Sequence, residues 1–232
     1  MNTHHQGTRA RPWVMAQAWD DLLFAHWPLD PAQLRHLAQP PLVLDTFAGH
    51  AWLGVVAFHI RRIQLRGCPV VPAVSDFPEV NLRTYVRLND RPGVLFLSLH
   101  CPNRLAMALA RPWFRLPYRH AEVCLSAASG CTDFASHSPE HADFAAAYAP
   151  TPGLFDDALA RWLTERYCYY SQSSRATYRC DIAHPHWPLT RASASIATNS
   201  LGNPFGIRVE REPLLHAASH MDTQVWPLVR VA

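Results

Sequence analysis

An α+β fold built mainly from antiparallel strands is what this sequence predicts, and three observations carry the prediction. Apolar and polar residues alternate over long stretches, turn residues separate those stretches at hairpin distances, and short helical patterns are inserted between hairpins instead of following every strand. The first element reads as a helix: Trp13, Val14, Ala16, Gln17, Trp19, Asp20, Leu22, Leu23 and Phe24 fit an i, i+3, i+4 pattern up to Trp27, where Pro28 stops it. A second, short helix has clear start chemistry in Asp30 as N-cap and Pro31 at the first helical position, with Leu34 and Leu37 on one face. The period then changes to two. Leu42, Leu44 and Thr46 lead into Ala48-Gly49-His50, and Trp52, Gly54, Val56, Phe58 and Ile60 follow, which predicts a long hairpin that Ile63 and Leu65 extend. Val80, Leu82, Thr84, Val86 and Leu88 alternate with Asn81, Arg83, Tyr85 and Arg87, and Asn89 to Gly93 turns the chain into Val94–Leu99, the strongest hairpin signal present. A helix over 103–111, strands over 121–128 and 131–137 about a Ser129-Gly130 turn, and a helix over 154–163 come next. Strands over 166–171, 176–183 and 223–231 complete the prediction.

Composition bounds the chemistry. All 21 residues in the Lys+Arg count are arginine, so no side-chain amine exists to form an imine with a carbonyl compound or with pyridoxal phosphate, or to serve a phosphate-binding loop. A net charge of +3 with scattered arginines argues against nucleic acid as a partner. No apolar run reaches the roughly 18 residues of a membrane helix, since Leu42 to Ile60 is broken by Asp45, His50 and His59. No signal peptide is visible, and the six cysteines form no C-x-x-C pair, so they read as free thiols of a soluble cytoplasmic protein. Residues 12–230 read as a single domain, residues 1–11 as a flexible N-terminal segment, and nothing speaks against a homo-oligomer.

Seven phrases carry a family resemblance. They are Trp19 to Pro28 (WDDLLFAHWP), Leu44 to Val56 (LDTFAGHAWLGVV), Phe77 to Val86 (FPEVNLRTYV), Ala110 to Tyr118 (ARPWFRLPY), Leu163 to Tyr170 (LTERYCYY), His184 to Leu189 (HPHWPL), and Pro213 to His216 with Val225 to Leu228. In this order they resemble the uncharacterised YqjF-like family, a bacterial domain of unknown function. The resemblance implies an acetoacetate decarboxylase-like fold: a strongly curved, mostly antiparallel β-sheet closed into a cone or barrel around a cavity, with a few peripheral helices. In the decarboxylase a lysine pair following a proline carries the reaction, and the matching phrase Leu116-Pro117-Tyr118-Arg119-His120 offers a phenol and a guanidinium instead. The imine mechanism is therefore absent. The resemblance also aligns Glu79 with a buried cavity glutamate.

Strand alternation puts Glu79, Asn81, Arg83 and Tyr85 on one face, opposite Val80, Leu82 and Val86. On the inner face of a cone, these residues would form a polar floor for a carboxylate or carbonyl ligand. Glu79, Arg83 and Tyr118 are the catalytic candidates, with Arg83 as anchor and Glu79 as acid/base. Asn81, Tyr85, Arg119, Glu165 and Arg166 are ligand-binding candidates, and Glu79 or Glu165 is the expected ion-pair partner of Arg83. The pairs His184-x-His186 and His216-x-x-x-His220 have spacings that metals use, but Pro185 interrupts the first and neither has a carboxylate set, so no metal and no cofactor is expected. The function this predicts is binding or transformation of a small anionic or carbonyl compound without Schiff-base chemistry. The alternative is a non-catalytic structural or interaction protein whose inner polar residues only satisfy one another.

Overall fold

The structure is a computed structural model that describes residues 11–232; the N-terminal segment expected to be flexible lies outside the described residues, apart from Arg11. Its strands are β1 (Met15–Leu29), β2 (Val43–Leu44), β3 (Ala51–Leu65), β4 (Phe77–Leu88), β5 (Arg91–Cys101), β6 (Tyr118–His120) and β7 (Glu122–Ala128). They continue as β8 (Cys131–His137), β9 (Phe144–Leu154), β10 (Cys168–Ser173), β11 (Ala176–Ala183), β12 (Thr190–Asn199), β13 (Leu214–Val225) and β14 (Val229–Arg230). The helices are α1 (Pro31–Leu34), α2 (Pro72–Ser75), α3 (Arg104–Phe114) and α4 (Ala158–Thr164).

One curved sheet holds all the strands, in the order β14-β11-β10-β5-β4-β3-β1-β13-β12-β9-β8-β7, with β2 and β6 paired to β4 and β5. A second pairing, Ile182↔Val225 and Ala183↔Gln224, joins β11 to β13. The strands from β11 through β10, β5, β4, β3 and β1 to β13 thereby close into a ring. Antiparallel ladders dominate; the β5–β10 and β5–β6 pairings are parallel. Beyond β13 the sheet continues through β12, β9, β8 and β7, and β7 folds back onto β4 and β5. The ring strands are consequently covered on both sides. Leu23, Ala25, Leu53, Val55, Val80 and Leu82 pack outward against Val123, Phe134, Phe144 and Tyr148 of the returning sheet. Leu22, Phe24, Val56, Phe58 and Ile60 point into the ring.

The 13–27 helix of the sequence prediction is strand β1, and the reason is local. Its inward residues run Met15, Gln17, Trp19, then Leu22, Phe24 and His26. A β-bulge between Asp20 and Leu23, with Asp21 at φ 53°, adds one residue to the alternation. The resulting three-residue step, together with burial on both faces, imitates a helical period. The hairpin predicted over 42–60 is also corrected: β2 pairs with β4 through Val43↔Arg87 and Leu44↔Val86, and only a Phe47↔His50 bridge closes the turn. The α1 N-cap is as predicted, the Asp30 carboxylate accepting from the Ala32 N–H at 2.8 Å. The predicted 154–163 helix starts late, after the Asp157 cap, because 144–154 is strand β9. No helix among the described residues is long and apolar enough to cross a membrane.

Candidate functional site

Alternation along β4 is unbroken, because the irregularity in its pairing with β5 falls on β5, between Phe96 and Ser98. Glu79, Asn81 and Arg83 therefore share the inner face of the ring. They line an interior pocket of about 460 Å³ together with Tyr118 and a mainly apolar wall that includes Trp19, Phe24, Phe58, Cys101 and Trp187. A larger groove of about 870 Å³ lies between Trp27–Pro31 and 206–211, but none of the candidate residues lines it.

Tyr118 reaches the pocket because β6 runs alongside β5 with Leu99↔Tyr118 in register. Its hydroxyl donates to Glu79 Oε2 at 3.0 Å. Burial pushes the Glu79 carboxyl up from its usual 4.5 to about 8, against smaller downward pulls from the Tyr118 and Asn81 hydrogen bonds. Burial, and then the Glu79 charge, hold the Tyr118 phenol well above 10. At neutral pH the pair is thus a neutral carboxylic acid beside a neutral phenol. The Tyr118 hydroxyl and the Asn81 side chain thus both hydrogen-bond the Glu79 carboxyl.

Arg83 lies deeper. Its guanidinium carbon is 5.7 Å from the Phe24 ring and 5.9 Å from the Tyr85 ring. Gly54 faces it across the ladder, and a Cβ there would stand 3.0 Å from the His26 ring and 3.3 Å from Arg83 Cγ, so only glycine leaves room for both side chains. Among the described residues no carboxylate pairs with Arg83, and its Nε, like Asn81 Oδ1, has no hydrogen-bond partner. This corrects the expectation that Glu79 or Glu165 would pair with it. Glu165 instead accepts from the Tyr167 hydroxyl and from the Trp187 N–H (3.1 Å), and pairs with His186 at 3.0 Å.

The remaining candidates fall outside the pocket. Arg166 is buried, but it pairs with Asp45 at 2.6 Å, donates to the Trp162 carbonyl and stacks over the Trp162 ring. Arg119 follows Tyr118 on a strand, so it points the other way and pairs with Glu140. Tyr85 faces the ring interior, where its hydroxyl is 2.7 Å from His26 Nε2, but it is fully packed and does not line the pocket. One histidine of each pair with metal-like spacing is engaged by another residue: His184 stacks on Tyr167, and His220 pairs with Asp20. Among the described residues no group of His, Cys, Asp and Glu is arranged to hold a metal ion.

The chain matches the family model DUF2071, described as an uncharacterized conserved protein, over residues 16–222. It belongs to that family. It is 41% identical over 222 residues to the uncharacterized protein YqjF of Bacillus subtilis (strain 168), covering 93% of this chain and 92% of that one. Among solved structures, the enduracididine biosynthesis enzyme MppR in complex with pyruvate superposes with a TM-score of 0.70 at 11% identity, over 98% of this chain and 93% of that one. Acetoacetate decarboxylase from Legionella pneumophila gives 0.70 at 12% identity, over 95% and 88%. Likeness at that identity establishes the acetoacetate decarboxylase-like fold that the sequence phrases implied. It leaves chemistry to the residues.

Within this family member, sequence reasoning overlooked His26. It is fully buried and its ring stacks on Phe24; burial, and then the Arg83 charge, lower its pKa well below 6.5. Its Nδ1 has no partner. The signal was hidden because His26 belongs to the segment misread as a helix. Cys101, whose thiol burial and then Glu79 push up to about 12, lines the same pocket as an unreactive wall residue. All six cysteines are unpaired.

Proposed function

We propose that the ring interior binds a small anionic or carbonyl compound in the cytoplasm, and that any turnover there proceeds by proton transfer at Glu79 without an imine. The observation that carries this reading is the polar inventory of the pocket. A neutral Glu79–Tyr118 pair shares the pocket with a guanidinium that has no carboxylate partner among the described residues. Had these groups served only to satisfy one another, Arg83 Nε, Asn81 Oδ1 and His26 Nδ1 would be partnered, because buried polar atoms rarely go without a bond. A ligand carboxylate would satisfy Arg83, and a carbonyl of the ligand would accept from protonated Glu79. A group titrating near 8 gives and takes a proton about equally well close to neutral pH.

The solved relatives of this fold include an enzyme described in complex with pyruvate, which supports an oxo acid as the starting ligand class. With no lysine in the chain, the decarboxylase's amine chemistry is not carried over. The test is calorimetric titration with short monocarboxylates, 2-oxo and 3-oxo acids, and the matching neutral amides. Acids should bind at least about tenfold more tightly than their amides, the margin expected of one charge-assisted contact of roughly 1.5–3 kcal/mol, and Arg83→Met should erase the difference. Equal binding of acids and amides would refute the reading.

A further inference from the structure

The pocket has two unlike ends. From Arg83 the wall climbs past Phe24, Val56 and Phe58 to Glu79. Glu79 and Arg83 are four residues apart on one strand, about 13 Å between Cα atoms at about 3.3 Å per residue, so the two side chains address different parts of a bound ligand. Beyond Glu79 the wall is mainly apolar, with Gln17 among Met15, Trp19, Ile60, Ile63 and Leu65. The mouth is formed by α3 on one side and by residues 68–74 on the other, which are joined where Asn103 Nδ2 donates to the Ala73 carbonyl at 2.7 Å.

At this mouth the molecule breaks its own surface pattern. Leu105, Leu109 and Trp113 recur every four residues along α3 and are 56%, 57% and 61% exposed; Val71 opposite is 52% exposed. These are four of the seven large apolar side chains exposed among the described residues, and all four line the pocket as well. The stripe is thus the outer lip of an apolar channel whose floor is cationic. Four side chains fall well short of the roughly 20–30 residues a side that a stable protein interface uses. The interior volume of about 460 Å³ lies within the roughly 300–1,000 Å³ that drug-sized ligands occupy, far beyond the needs of a three-carbon oxo acid.

We propose that the ligand is an amphiphile, a medium- to long-chain monocarboxylate whose head group meets Arg83 and whose apolar tail runs past Glu79 to lie against the Leu105–Leu109–Trp113 stripe. This deepens the ligand reading above and rests on it. Binding a carboxylate at Arg83 gives charge and direction; the tail supplies most of the affinity through burial. Glu79 faces the chain some distance from the head group, which places any functional group it acts on along the tail side of the carboxylate.

The test is calorimetry at pH 7 with straight-chain carboxylates from acetate to dodecanoate, kept below their micelle concentrations, and with the matching primary alcohols. Each added methylene should tighten Kd by about 3–4-fold until the chain reaches the lip, the equivalent of about 0.8 kcal/mol per buried CH₂. Alcohols should bind more weakly than acids at every length. Trp113→Glu, at an exposed position that leaves folding intact, should weaken dodecanoate by at least about tenfold and hexanoate by much less. Short acids that bind with no gain from chain length would overturn the amphiphile and leave the small-anion reading standing. Absence of binding at every length would remove both. If Trp113→Glu turns a dimer into a monomer in sedimentation while long-chain affinity is unchanged, the stripe belongs to a second copy of the chain and the proposal fails.

Discussion

The two faces of β4 are buried to a similar degree and built on opposite principles. Outward, Val80, Leu82 and Val86 join a continuous apolar core between the ring and the returning sheet, with Thr84 bonded to the Trp52 carbonyl at 2.9 Å. Inward, Glu79, Asn81 and Arg83 face a pocket, and the last two carry polar atoms with no partner. Apolar side chains on one face lower the free energy of folding, whereas desolvated ionisable groups on the other raise it. The same strand thus holds the fold with one face and presents chemistry with the other. That division explains why the sheet continues past the ring: without β12, β9, β8 and β7 the outer face would lie in water and could not offset the inner one.

Truncation of an outward side chain separates the two faces most sharply. Leu82→Ala should cost about 2–5 kcal/mol in a denaturant melt, since Leu82 is only 1% exposed and packed from both sheets; a loss under about 1 kcal/mol would mean the outer face is not the anchor. The next largest effect is a pH dependence arising from Glu79. Its folded pKa of about 8 lies above the usual 4.5, so between those values the folded state holds a proton that the unfolded state has released. The Glu79 contribution to stability should therefore be fully present below about pH 4.5, fall by up to about 1.4 kcal/mol per unit as pH rises towards 8, and then level off. Melts of wild type and Glu79→Gln across pH 5–9 isolate this, because the variant lacks the slope. Parallel curves would show that Glu79 titrates normally.

Tyr118→Phe should cost about 1 kcal/mol and raise the Glu79 pKa further, because the lost hydroxyl favoured the ionised acid; carboxyl resonances followed by NMR report both the size and the sign. The smallest effect is expected at Arg83. With no acid partner to strand, Arg83→Met should change stability by no more than about 0.5 kcal/mol, while abolishing preference for anionic ligands. A loss of several kcal/mol would reveal a carboxylate that depends on it.

Legibility in the sequence followed the regularity of the elements. The β4–β5 hairpin could be read because its alternation is long, its turn residues are explicit and β4 carries no bulge. β1 could not, because the Asp21 bulge shifts its inward set by one residue. Strands β9 and β12 escaped notice because alanine and serine fill most of both: Phe144, Ala146 and Tyr148 alternate with alanine, and Ala192, Ala194 and Ile196 with serine and alanine, so neither period stands out. The inner-face residues Glu79, Asn81 and Arg83 were accessible as one strand's alternate positions. Arg119, Glu165 and Arg166 were misjudged because their partners Glu140, His186 and Asp45 are brought to them only by tertiary folding. The apolar lip on α3 gave no warning either, since the predicted helix ends at 111, short of Trp113, and the spacing of Leu105 and Leu109 does not distinguish an exposed face from a buried one.

A crystal structure of the protein soaked with a saturating carboxylate tests the central claim, that the inner face of β4 is a ligand site, more directly than any stability measurement. The prediction is carboxylate density in the ring, with an oxygen about 2.7–3.2 Å from Arg83 Nε and the remainder of the ligand directed toward Glu79 and the α3 lip. A carboxylate bound only on the outer surface, or a ring interior closed by its own side chains around Arg83, would contradict it.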